Sequence, residues 1–84
     1  MYQILWEKKA LKQLSRIPID DRKSINESVK NLSNWPDCRN VKILTNHEYQ
    51  YRLRVGRYRV FFDLENILKI LRIEEVKKRD ERTY

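Results

Sequence analysis

The stretch that decides the fold is YRLRVGRYRV at residues 51–60. Apolar and basic side chains alternate on both sides of Gly56-Arg57, a two-residue turn signal with Gly at the first position. The pattern predicts an antiparallel hairpin with a type II′ turn, in which Arg54 lies opposite Arg59. One face of this hairpin is apolar and consists of Tyr51, Leu53, Val55, Tyr58, Val60 and Phe62. The other face carries Arg52, Arg54, Arg59 and Phe61.

The arginine-bearing face of the hairpin is electrostatically unfavourable by itself. Like charges directly opposite each other destabilise a strand pair by several tenths of a kcal/mol, roughly. A bound anion would compensate, and Phe61 is available to stack a base, so this face predicts binding of a nucleic-acid phosphate. The alternatives are that Asp63, Glu74 or Glu75 neutralises the arginines, or that they extend into solvent. The pattern supports binding and does not by itself establish catalysis.

The residues before the hairpin predict a strand and two helices. Tyr2–Trp6 is typical of a short strand, and from Glu7 the apolar spacing becomes helical until Pro18 ends the segment. Asp20 or Asp21 is expected to cap a second helix, whose apolar stripe extends to Trp35 before Pro36. The apolar positions of the two helices are Ala10, Leu11, Leu14, Ile17, Ile25, Val29 and Leu32.

The remaining segments predict a sheet. Val41–Leu44 is either a short edge strand or an irregular connector. Three further strands are expected at Tyr49–Val55, Tyr58–Leu64 and Ile67–Ile73, with a tight turn at Glu65-Asn66. The expected order is β-α-α-β-β-β. This is an α+β fold in which a helical hairpin packs on one face of an antiparallel sheet, forming a single domain over residues 1–84.

Composition narrows the function classes. The net charge of +7 on 84 residues favours a polyanionic partner. No apolar stretch is long enough for a membrane helix, and the N-terminus lacks the basic leader and apolar run of a signal peptide. Cys38 stands alone, which suits a reducing cytoplasm. One His and one Cys make a poor metal site, so we expect neither a metal nor another cofactor.

The hairpin string and the C-terminal segment Lys77-Lys78-Arg79-Asp80-Glu81-Arg82-Thr83-Tyr84 together resemble the RelE family of toxin–antitoxin toxins. The resemblance spans the whole chain and is most specific over residues 41–84. It implies a fold like that of microbial ribonucleases. It also implies metal-independent mRNA cleavage, typically in the ribosomal A site, by attack of a 2′-hydroxyl on the adjacent phosphate.

The resemblance also implies residue roles. The catalytic positions would be Arg52, Arg54, Arg59, Arg79 and Tyr84, with Lys78 or Arg82 as alternatives to Arg79. Phe61, Arg57, Lys78 and Arg82 would contact RNA. Some relatives have Lys where this chain has Arg52 and Arg54, and Arg effectively cannot lose a proton. The general base is therefore open among His47, Glu48 and Tyr84.

The partners implied are an acidic, RelB-like antitoxin, mRNA on the ribosome and ribosomal RNA, all in the cytoplasm and without a membrane. Two other functions stay open. One is a ParE-like toxin, which shares the fold and blocks DNA gyrase without cutting RNA. The other is a binding module of the same fold without catalysis.

Overall fold

A computed structural model describes residues 1–79 of the chain. Its elements are β1 (Gln3–Trp6), α1 (Lys8–Ser15), α2 (Ile19–Asn31), a 3-10 turn at Leu32–Asn34, β2 (Val41–Ile43), β3 (Tyr51–Val55), β4 (Tyr58–Glu65) and β5 (Ile70–Lys78). The α+β class and the helical hairpin are confirmed. Val41–Ile43 forms an edge strand, which resolves the alternative left open for that segment.

The five strands form one sheet in the order β1-β5-β4-β3-β2. β1 pairs with β5 in parallel, with Gln3 opposite Ile70, and the other pairs are antiparallel. The sheet is therefore mixed, and the expectation of a purely antiparallel sheet is corrected. Parallel pairing needs a long connection. Here the chain between β1 and β5 includes both helices and the three strands on the far side of the sheet.

The helices and one face of the sheet enclose a single apolar core. Its buried side chains are Ala10, Leu14, Ile17, Ile25, Val29, Leu32, Leu53, Tyr58, Val60, Phe62, Leu71, Ile73 and Val76. This set contains most of the apolar positions predicted from the helical and strand periodicities. Trp35 extends the core edge-to-face, with its ring centroid 4.8 Å from Tyr51 and 5.7 Å from Phe62. We call the opposite face of the sheet the outer face.

Helix α1 covers the edge of β5 beyond the point where β1 ends. The Glu7 N–H donates to the Ile73 carbonyl at 2.9 Å, and the Val76 N–H donates to Gln13 Oε1 at 2.7 Å. The Gln13 side chain thus takes the place of a neighbouring strand for that amide. A buried amide without an acceptor would destabilise the fold, so this contact fixes the C-terminal half of β5 against the helix.

Three local expectations are corrected. The turn before β5 spans residues 66–69, and not Glu65-Asn66, with Lys69 in the left-handed region at φ 56°. β5 therefore begins later than expected and extends to Lys78. Helix α2 has Pro18 at its N-cap position without a side-chain cap. Asp20 and Asp21 instead lie in its first turn, where they favour the helix through its dipole.

The register between β4 and β5 shifts at Phe61/Phe62. Phe61 lies opposite Glu75 and Phe62 opposite Ile73, so Glu74 is an extra residue in β5. Because side chains alternate along a strand, the insertion exchanges the two faces of β5 after this point. No helix in the described part of the chain is both long enough and apolar enough to span a bilayer.

Candidate anion-binding site

A pocket of about 210 Å³ opens at the end of the sheet where β3 turns into β4. Its lining consists of Arg52, Arg54, Gly56, Arg57, Arg59 and Arg79. We call it the arginine pocket. Four of its cations come from the hairpin at residues 51–60, and Arg79 follows directly after β5. The structure thus brings together the described arginines to which the family resemblance assigned catalytic or RNA-binding roles.

The hairpin register places the cations. Arg54 pairs directly with Arg59, and Val55 with Tyr58, as the alternation predicted. Gly56 has φ 55°, the left-handed conformation that the first position of a type II′ turn requires. The Arg79 N–H donates to the Arg57 carbonyl at 2.6 Å, so the chain after β5 lies beside the turn.

Arg52 has the most informative environment in the pocket. Its Nε is buried and, among residues 1–79, has no hydrogen-bond acceptor. A guanidinium N–H removed from water without an acceptor carries a desolvation cost of about 1–3 kcal/mol, or more for a charged group. Arginine also suits a phosphate in the pocket itself, which five arginines line, because the planar guanidinium fork matches the geometry of the phosphate oxygens. The pocket can therefore bind an oxyanion and stabilise further negative charge that develops on it.

Two of the acidic residues considered as neutralising partners, Glu75 and Asp63, make contacts with other residues. Glu75 accepts from Lys9 at 3.3 Å and lies 3.6 Å from Lys77, while Asp63 accepts the Gln50 N–H at 2.8 Å. Arg59 and Arg79 do have interactions within the fold. The ion pairs of Glu75 thus involve two lysines, Lys9 and Lys77.

The pKa values of Glu74 and Glu75 are shifted in opposite directions. Burial raises the pKa of Glu75. Hydrogen bonds from Gln13 and Tyr49 and the charge of Lys77 outweigh that effect and hold its pKa below the ordinary value. Burial, followed by a hydrogen bond with Asp63, raises the pKa of Glu74 to about 7. Glu75 is therefore an ionised anchor, whereas Glu74 exchanges a proton near neutral pH.

The exchange of faces in β5 determines where Lys77 and Lys78 lie. Lys78 lies opposite Tyr58 on the helix-packed side and lines a groove with Gln13, Arg16 and Tyr58, away from the arginine pocket. Lys77 instead lies opposite Arg59 on the outer face. The sequence interpretation missed Lys77. Strict alternation along β5 could not have found it, because the extra residue at Glu74 reverses the pattern.

Phe61 is not available to stack a base, which corrects its assignment as a base-stacking residue. It is only 7% exposed, because the imidazole of His47 stacks on it with ring centroids 5.2 Å apart and planes 15° apart. Tyr49 lies against the same ring, with a centroid distance of 5.7 Å. The loop between β2 and β3 therefore covers Phe61. Periodicity within the strand carries no signal for such a contact between distant residues.

The candidate bases differ in position. His47 and Glu48 are both exposed in the β2–β3 loop, and neither lines the arginine pocket. His47 Nδ1 accepts the Tyr49 N–H at 3.0 Å, which occupies the one acceptor nitrogen of a neutral imidazole. Tyr84 and Arg82 lie outside the described residues. Within residues 1–79, no group of three or more His, Cys, Asp or Glu side chains could hold a metal ion.

Comparison with protein families matches residues 4–79 to the model described as ParE toxin of type II toxin-antitoxin system, parDE. Comparison with curated protein sequences gives no match. Among solved structures, the archaeal RelE–RelB complex from Pyrococcus horikoshii OT3 is similar at 26% identity and a TM-score of 0.81. That match covers 95% of this chain and 97% of the other.

Two further structures share the fold. The toxin–antitoxin complex RelBE2 from Mycobacterium tuberculosis is 23% identical, with a TM-score of 0.79 over 93% of this chain and 98% of that one. The isolated RelE toxin of E. coli is 14% identical, with a TM-score of 0.82 over 96% and 87%. The fold expected from the family resemblance is confirmed by these similarities.

Proposed function

The chain belongs to the ParE toxin family of type II toxin–antitoxin systems, within the RelE/ParE superfamily, and we propose that it is an endoribonuclease that cleaves mRNA in the ribosomal A site. The observation that carries the proposal is the arginine pocket, in which five arginines line a volume of about 210 Å³. The similarity to the archaeal RelE at 26% identity supports the assignment of this chain to the RelE branch of the superfamily.

The pocket suits attack of a 2′-hydroxyl on the neighbouring phosphate. This reaction places additional negative charge on the non-bridging phosphate oxygens in a pentacoordinate transition state. Preorganised guanidinium groups stabilise that charge more strongly than the charge of the ground state, and this difference accelerates the reaction. We assign phosphate binding to Arg52, Arg54 and Arg59, and we place Arg79 on the opposite side of the phosphate.

Proton transfer is the weak part of this site. An arginine does not act as a base at neutral pH, and the acceptor nitrogen of His47 is occupied by the Tyr49 N–H. We therefore attribute most of the rate to electrostatic stabilisation and in-line alignment, with Tyr84 and Arg82 as candidates for positioning the substrate. The ribosome would supply the mRNA geometry. Ribosome dependence predicts that naked RNA is cut far more slowly than mRNA in the A site.

An antitoxin is the expected protein partner. The P. horikoshii relative is described in a RelE–RelB complex, and the M. tuberculosis relative is described as a toxin–antitoxin complex. The net charge of +7 favours an acidic partner. We propose that a cognate, RelB-like acidic antitoxin binds this chain in the cytoplasm and prevents cleavage. If neighbouring acidic proteins neither bind the chain nor relieve its toxicity, this assignment is wrong.

The family description favours one second candidate, inhibition of DNA gyrase, which the sequence resemblance attaches to ParE-like toxins. Two assays on the same preparation separate the candidates. We expect the purified chain to cut mRNA on programmed ribosomes at A-site codons and to leave gyrase supercoiling unchanged. Inhibited supercoiling with intact mRNA would overturn the nuclease proposal and assign the arginine pocket to a protein partner.

A further inference from the structure

The β2–β3 loop places aromatic rings on the outer face of the sheet beside the arginine pocket. His47, Tyr49 and Phe61 form a three-ring cluster with centroid distances between 5.2 and 5.9 Å. Phe61 is buried at the base, while His47 is exposed and covers it with nearly parallel planes. One face of the imidazole therefore packs on Phe61, and the other is open to solvent. We call this cluster the aromatic shelf.

Hydrogen bonds hold the shelf in place. The Tyr49 N–H donates to His47 Nδ1 at 3.0 Å, which fixes the orientation of the ring. The Tyr49 hydroxyl donates to the buried Glu75 carboxylate, which also accepts from Lys9 on α1. These contacts join the loop to the sheet and to the first helix. A rigid aromatic surface loses little conformational entropy when a flat ligand stacks on it.

The shelf and the pocket are adjacent in the sheet register. Phe61 at the base of the shelf pairs directly with Arg52, one of the residues that line the pocket. Side chains directly opposite in an antiparallel pair have Cβ atoms about 5 Å apart. A phosphate in the pocket therefore places the base of a neighbouring nucleotide within reach of the exposed imidazole face.

We propose that the aromatic shelf is a nucleobase-binding subsite, in which a base next to the phosphate in the arginine pocket stacks on His47. The proposal rests on the nuclease function proposed above and assigns His47 a substrate-positioning role in place of proton transfer. Because every base has a flat π-face, such stacking tolerates any base. Because His47 Nδ1 accepts the Tyr49 N–H, Nε2 is left as a hydrogen-bond donor and the ring is suited to stacking.

The test compares two fluorescein-labelled probes of equal length and charge, a 2′-O-methyl RNA hexamer and its fully abasic counterpart. The 2′-O-methyl groups prevent cleavage, so fluorescence anisotropy reports binding alone. We expect the wild-type chain to bind the base-containing probe about tenfold more tightly than the abasic probe, as alanine substitution of stacking aromatics indicates. We expect His47→Ala to reduce this ratio to about 1, and His47→Phe, which keeps a flat ring, to retain it.

Each outcome is decisive. A base preference that persists in His47→Ala, or that is absent from the wild type while both probes bind, overturns the shelf and leaves the phosphate site intact. If the wild type binds neither probe, the shelf is overturned as a subsite for free RNA, while the proposed function is decided separately by cleavage on programmed ribosomes. If His47→Phe also loses the preference, the imidazole nitrogens and not the flat ring are responsible, and the stacking role is wrong. Thermal melts confirm that each variant is folded.

Discussion

Replacing Arg54 by Thr is predicted to stabilise the fold while it damages the anion site. Arg54 is exposed and lies directly opposite Arg59. Two unit charges about 6 Å apart in water repel by ~0.7 kcal/mol, and screening at physiological ionic strength roughly halves this value. Thr also favours a strand. We therefore expect the free energy of unfolding to rise by about 0.5 kcal/mol and Tm to rise by about 3 °C.

Thermal and urea unfolding, each with and without inorganic phosphate, measure this change. Arg54→Lys is the matched control because it keeps the charge, and it should remain within about 0.3 kcal/mol of the wild type. Phosphate should narrow the gap. At tenfold its Kd, an anion that binds only the folded chain adds about 1.4 kcal/mol, and the variant should gain less than the wild type.

Two results would refute this reasoning. One is destabilisation of Arg54→Thr by 1 kcal/mol or more, roughly, which would mean that Arg54 holds the fold through a partner. The other is equal stabilisation of both chains by phosphate, which would mean that the arginine pocket does not bind the anion.

Three further substitutions test the scaffold. Gln13→Met removes the acceptor for the Val76 N–H, and urea unfolding should show a loss of about 2 kcal/mol. Glu74 has a pKa raised to about 7, so its protonated form stabilises the native state fully below about pH 4.5 and this stabilisation disappears as pH rises through 7. Glu74→Gln should flatten that part of the pH–stability curve, and an unchanged curve would exclude the Asp63–Glu74 pair as its source. Gly56→Ala should lower the free energy of unfolding by about 1 kcal/mol in thermal unfolding, because Ala disfavours the φ of 55° at this position. A steric clash does not contribute, since an added Cβ meets no atom within 4 Å. Gly56→Asn should lose less stability, because Asn tolerates this conformation.

The arginine face of the hairpin could be predicted because its information is local. Alternation and a two-residue turn with Gly first fix which side chains are opposite, and both features lie within ten residues. The pairing of Arg54 with Arg59 follows directly. The position of Arg79 came from the family resemblance, since composition and periodicity alone do not place the end of β5 beside the turn.

The remaining features depend on contacts between distant segments. The burial of Phe61 depends on a loop twelve or more residues earlier, whose His47 stacks on it. The position of Lys77 on the outer face depends on the extra residue at Glu74, which has no signature in the sequence of β5. The parallel pairing of β1 with β5 depends on how the helical hairpin crosses the sheet, and a strand pattern does not carry that information.

Cleavage of mRNA on programmed ribosomes by the intact chain, Arg59→Ala and Lys23→Ala tests the central claim most directly. Lys23 is an exposed cation on α2 and serves as the control for loss of one positive charge. Primer extension should map wild-type cuts to A-site codons. The rate should fall by about 10²–10³ in Arg59→Ala, as when one preorganised donor is removed from a transition state, and should remain near wild type in Lys23→Ala. Equal cleavage by a folded Arg59→Ala variant, or no cleavage by the wild type, would contradict the account.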